Sequence, residues 1–198
     1  MAIASDRRNT AILIVLLLAL LVGTACQSSL NADEFIAATL GGRAGEIRAN
    51  LGADLSEDEK TAAAQYVAAL ESLSGETLLI VQGVGALHLA TRATAEAVAA
   101  GYRDLAARSD EATARLRWLS PPPVIAAAHE ELIVASIEHT AVVAAYAEAF
   151  AQLDFPTLQR LRAEHEAAAR RILAAHERLE RESAPLFQPG KRLQLSRR

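Results

Sequence analysis

Five histidines, His88, His129, His139, His165 and His176, and one cysteine, Cys26, are the side chains best equipped for chemistry in this chain. An imidazole near neutrality can move a proton or bind a transition ion, and its neighbours at helical spacing decide which. A di-iron carboxylate site in a helical bundle needs a glutamate three residues before a histidine on two helices. None of the five histidines has one. Two histidines four apart around a glutamate, the mark of a zinc protease helix, are also absent.

One pair stands out. His139 lies fourteen residues before the chain reversal at Leu153 and Asp154, and His165 lies eleven after Asp154. On two antiparallel helices their heights therefore differ by only about 4.5 Å. Glu138 and Glu164 precede them in sequence. The plain reading is a pair of hydrogen-bonded core histidines. The alternative is a metal-binding or metal-buffering site of His139 and His165 with Glu138 and Glu164. His165 and His176 share a helix face but stand about 16 Å apart, too far for one ion.

Nucleophilic chemistry finds no footing. There is no Gly-x-Ser-x-Gly elbow, a lone cysteine excludes haem attachment through a Cys-x-x-Cys-His segment, and no glycine loop opens a helix after a strand. Glu130, Glu131, Glu148, Glu177 and Glu180 fall on arcs expected to face solvent. No catalytic residue is assigned, and a non-enzymatic protein without a cofactor is expected. The formal charge of −4 disfavours a nucleic-acid partner, which needs a dense basic face.

The elements that must position these residues are helical. Alanine, leucine, glutamate and arginine dominate, aromatics make up 4%, and no alternating segment is long enough for a sheet. Ser56, Glu57, Asp58 and Glu59 form a capping box that opens the first long helix. Helical patterning then runs to Leu119, which as a single rod would measure about 96 Å. Ser120 and Pro121 to Pro123 stop it and pre-set a helix to Gln152, and Asp154 with Pro156 reverses the chain into a helix over 157–183. Matching the lengths of these last two helices puts a hairpin near His88 to Thr94, within the interval 75–110, with Thr91 or Thr94 as the new cap and Gly83 with Gly85, Gly101 or Ser109 as alternative turns. The expectation is an all-α, antiparallel up-down four-helix bundle preceded by a flexible tether.

The third helix carries no lysine or arginine from Pro121 to Asp154, and its apolar residues spread beyond one stripe to Ile133, Val134, Ile137, Ala141 and Ala145. Burial between neighbours is the expected reason, and display toward a partner is the alternative.

The chain begins with Arg7 and Arg8, an apolar run from Ala11 to Val22, and small residues before Cys26, the layout of a secretory signal. Twelve apolar residues reach roughly 18 Å as a helix, short of the roughly 30 Å of a bilayer core. Val22, Gly23, Thr24, Ala25 and Cys26 resemble the lipobox of bacterial lipoproteins. That resemblance implies cleavage before Cys26 and a diacylglyceryl group on its sulfur, with palmitate-type chains. Gly23 stands where the motif usually has an aliphatic residue. Conventional cleavage after Ala25, or retention as a short anchor, would also carry the body out of the cytoplasm. Gln27, next to the lipid site, resembles the outer-membrane sorting choice.

Leu119, Ser120, Pro121, Pro122 and His129, with Leu153 and Asp154 at the next turn, also resemble a group of alanine-rich helical lipoproteins. That likeness implies the bundle and no activity. The expected organisation is a signal peptide over 1–25, a lipidated N-terminus and linker over 26–55 with a short helix near Asp33 to Leu40, the bundle over 56–184, and a basic tail over 185–198. Lys191, Arg192, Arg197 and Arg198 in that tail would fray or touch anionic headgroups. The expected protein is exported, anchored to a cell or outer membrane through Cys26, and engaged with an envelope protein.

Overall fold

The computed structural model describes residues 41–90, 93–193 and 195. Cys26, the apolar leader, the expected helix near Asp33 to Leu40 and the first part of the tether lie outside the described residues, as do Thr91, Arg197 and Arg198. The compact unit runs from Arg43 to Arg198. It is all-helical, and its only β feature among the described residues is an isolated antiparallel bridge between Leu51 and Phe187.

Four long helices follow in order: α1, Glu57–His88; α2, Ala95–Arg117; α3, Ala126–Gln152; and α4, Phe155–Glu182. Each begins for a chemical reason or is prepared for one. At α1 the Ser56 hydroxyl accepts from the Glu59 N–H while the Glu59 carboxylate accepts from the Ser56 N–H, satisfying amides that no helical carbonyl can reach. Thr94 caps α2 by accepting from the Ala97 N–H at 3.2 Å, and Asp154 caps α4 through the Thr157 N–H at 3.2 Å. Ahead of α3, Pro123–Ile125 forms a 3-10 turn that proline's fixed φ favours. The hairpin thus falls between His88 and Thr94, where length matching places it.

Sequence neighbours make the closest helix contacts, α1 with α2, α2 with α3 and α3 with α4. Between α1 and α2 the approach is set by glycine. A β-carbon at Gly83 would stand 3.0 Å from a Leu105 methyl, and one at Gly101 would stand 3.0 Å from a Leu87 methyl. Each helix thus offers a notch to a leucine of the other. The shared core of this half joins Ile80 and Val84 of α1, Val98 and Tyr102 of α2, Val143 and Tyr146 of α3, and Leu161 of α4.

α3 ends on Leu153, whose φ of 54° is the only positive value at a non-glycine among the described residues. An L side chain there costs roughly 1 kcal/mol, and Leu153 is 56% exposed, so little burial offsets it. Replacing Leu153 with Gly is expected to raise unfolding stability by up to about 1 kcal/mol, read as a shift of the urea midpoint with an unchanged slope.

The ends of the unit are tied together beyond the expected limits of 56 and 184. Residues 43–48 are helical, and the Gly52 N–H donates to the Leu186 carbonyl while the Gln188 N–H donates to that of Asn50, both at 2.9 Å. Leu186, Leu193 and Leu195 are buried, and the Leu195 N–H donates to the Glu180 carboxylate. Part of the segment expected to fray is therefore packed, because its leucines close the open end of the core. Lys191 and Arg192 remain exposed.

Candidate functional site

Near the end of the unit where α1 stops and α4 starts, four helices bring imidazoles and phenols together. His88 is the last residue of α1, Tyr102 lies two turns into α2, His139 and Tyr146 come from α3, and His165 from α4. The His139 and His165 rings, on α3 and α4, stand 5.2 Å apart between centroids. His88 is 6.0 Å from His165 and meets Tyr146 edge-on at 4.8 Å. Tyr102 stacks on Tyr146 at 4.9 Å and on Phe150 at 5.3 Å.

Five polar atoms of this cluster are buried without partners. Both ring nitrogens of His139, Nε2 of His165, and the hydroxyls of Tyr102 and Tyr146 make no hydrogen bond. An unpaired buried donor or acceptor costs roughly 1–3 kcal/mol, so five in one cluster mark a place where another polar species belongs. Burial, reinforced by the neighbouring His165, pushes the His139 imidazole down to about 4. Burial also lowers His165 and His88 and raises both phenols. Every group here is neutral at pH 7, and a neutral imidazole is the form that binds metal.

The other two histidines are conventional core residues. The Tyr66 hydroxyl and His129 Nδ1 share a hydrogen bond at 3.0 Å, and the Ser74 hydroxyl and His176 Nε2 share one at 3.1 Å. The hydrogen-bonded core reading expected of His139 and His165 does not describe His139, whose ring has no partner, and His176 keeps only its Nε2 bonded, its Nδ1 being buried and unpaired.

Glu138 and Glu164 point elsewhere. Consecutive residues on a helix are turned by about 100°, so the residue before an inward histidine faces outward. Glu138 pairs with Arg171 across α3 and α4, and Glu164 pairs with Arg160 at 2.5 Å, both on the exposed side. His165 also meets Tyr146, seven residues after His139 on α3, and His88, which escapes sequence reading because α1 carries no signal of how it is rotated against its neighbours.

A second feature lies outside. Between α3 and α4 runs an open groove of about 560 Å³, floored by Val134, Ala135, Ala174 and Ala175. Its rim is acidic on α3, at Glu130, Glu131 and Glu138, and basic on α4, at Arg171, Arg178 and Arg181. The pairs Glu131–Arg178 and Glu138–Arg171 cross it seven residues apart on α3, so the apolar floor between them forms a window about 10 Å long. Val134 is 53% exposed and Ile137 39% exposed. The face of α3 that combines no basic residue with excess apolar surface is therefore partly displayed.

No family model, curated protein or solved structure matches the chain. The functional reading rests on the site itself.

Proposed function

We propose that this chain is a non-enzymatic, lipid-anchored module of the cell envelope. Its four helices form an antiparallel up-down bundle, held outside the cytoplasm by acyl chains on Cys26 and a tether. The bundle engages a helix of another envelope protein along α3 and α4. Export and anchoring are supported by the leader and by Cys26 at its end, where a diacylglyceryl group adds about 0.8 kcal/mol of membrane affinity per buried methylene. The bundle reading is supported by short connections that make successive helices antiparallel neighbours.

The observation that carries the docking reading is the alanine-floored window between the Glu131–Arg178 and Glu138–Arg171 pairs. An amphipathic helix suits it by charge. Its apolar side chain enters over Ala135 and Ala174, its basic edge faces the α3 glutamates, and its acidic edge faces the α4 arginines. Surface ion pairs contribute about 0–1 kcal/mol each, so exchanging them for intermolecular pairs costs little.

Val134→Arg and Ala141→Arg provide the test, since both residues are exposed. Each variant is expected to keep its helical circular dichroism and to stay within about 0.5 kcal/mol of the parent stability. Each should lose at least tenfold in recovery of the partner crosslinked from detergent-solubilised envelopes. A chain recovered alone, or equal recovery by both variants, refutes the docking reading. Mass spectrometry of the mature chain tests the anchor, which fails if Cys26 carries no acyl mass.

A further inference from the structure

We infer that His139 and His165, completed by His88, form a binding site for one divalent transition-metal ion of the imidazole-preferring kind, Zn(II) or Cu(II). This site lies inside the helices and is independent of the docking face.

The spacing is the first argument. With metal–nitrogen bonds of about 2.0 Å and a tetrahedral angle of about 109°, two ligating imidazoles hold their centroids about 5 Å apart. His139 and His165 stand at 5.2 Å with no ion between them. They come from different helices, so helix packing alone has set a separation that suits chelation. The unpaired atoms are the second argument. His139 is 1% exposed with both nitrogens free, and Nε2 of His165 is buried and free. A core that needed these rings only as filler would be more stable with apolar side chains of like size.

His88 supplies the third arm and the way in. It is exposed at the last turn of α1, where its ring is free to reorient. As the side chains stand, no three histidine, cysteine, aspartate or glutamate donors among the described residues converge on one point. Closing the site therefore requires His88 to turn inward from 6.0 Å, a rotation about side-chain bonds at a helix end. Imidazole ligands select zinc and copper over magnesium or calcium, which prefer oxygen. Tyr146 packs edge-on against both His88 and His165 and walls the site on the α3 side. No carboxylate enters the site, and at its edge the charge of Glu166 is opposed by that of Arg162, with which it pairs.

The test uses the full chain in detergent, stripped with chelator and titrated with Co(II), then Zn(II). The expected result is one Co(II) per chain with the intense visible absorption of a tetrahedral ion, displaced stoichiometrically by Zn(II). His139→Leu should abolish that absorption and His88→Ala should weaken binding at least tenfold, while both keep their helical circular dichroism. The double variant Ser74→Ala/His176→Leu, which alters the other buried histidine of α4, should bind as the parent does. Absence of saturable binding overturns the proposal. So do binding unchanged by His139→Leu and a sulfur-to-cobalt charge-transfer band, which would assign the ion to Cys26.

Discussion

Lowering the pH from 6.5 to 4 is expected to remove about 3 kcal/mol from the stability of the fold through His176 alone. This ring is 1% exposed on α4, and burial depresses it to about 4 against the pull of Glu180. Around it stand the Ser74 hydroxyl, which bonds Nε2, and the hydroxyls of Thr77, Thr113 and Ser136 in the same small cavity. None of these is an acid that could hold an imidazolium. The unfolded chain takes up the proton near pH 6.5 and the folded chain resists until about 4. Stability therefore falls by about 1.4 kcal/mol per pH unit through that interval, and the loss is complete below it. Total stabilities of 5–15 kcal/mol make this a large fraction.

Urea unfolding followed by helical circular dichroism at pH 7.5, 6, 5 and 4 checks the effect, in chelator so that bound metal does not interfere. The double variant Ser74→Ala/His176→Leu removes both polar partners at once and should flatten the slope by one proton. A parent chain equally stable at pH 6.5 and 4, or a variant with the same slope, defeats the account. The acidic caps belong to a lower window. The carboxyls of Glu59 and Asp154 are held below their ordinary range by hydrogen bonds from Ser56 and Thr157, so their contribution is lost only as pH falls further.

Helix ends were legible because they are written in local chemistry. Ser56 with Glu59, Pro121 to Pro123 and Asp154 with Pro156 each act within one turn. The break between α1 and α2 has only Thr94 as a local mark, yet length matching placed it between His88 and Thr94. The same arithmetic brought His139 opposite His165. What stayed hidden depends on rotation about helix axes. Nothing in the patterns of α1 and α2 says that His88 and Tyr102 turn toward α3, and Glu138 and Glu164 were drawn to the histidines by adjacency in sequence when helix geometry sends them outward. The tie between residues 49–52 and 186–188 carries no period at all, being made of backbone groups, a few leucines and the Gln188 amide, which donates to the Ala49 and Leu51 carbonyls.

The ring and the hydroxyl of Tyr102 are expected to contribute with opposite sign. The ring is fully buried, stacked against Tyr146 and Phe150 of α3 with His88 at its edge at 6.0 Å, so Tyr102→Ala should cost about 3–5 kcal/mol through lost contacts and the cavity left behind. Its hydroxyl is buried with no partner, so Tyr102→Phe should be neutral or stabilise by about 1 kcal/mol. Urea midpoints of the two variants against the parent, in chelator, separate the terms. If Tyr102→Phe lost 1 kcal/mol or more, the hydroxyl would have to be satisfied in solution by an ordered water, and the unpaired atoms around His139 would no longer argue for a missing ion. If it gains, the cluster is less stable empty than an apolar core would be, and a species that binds there recovers the difference.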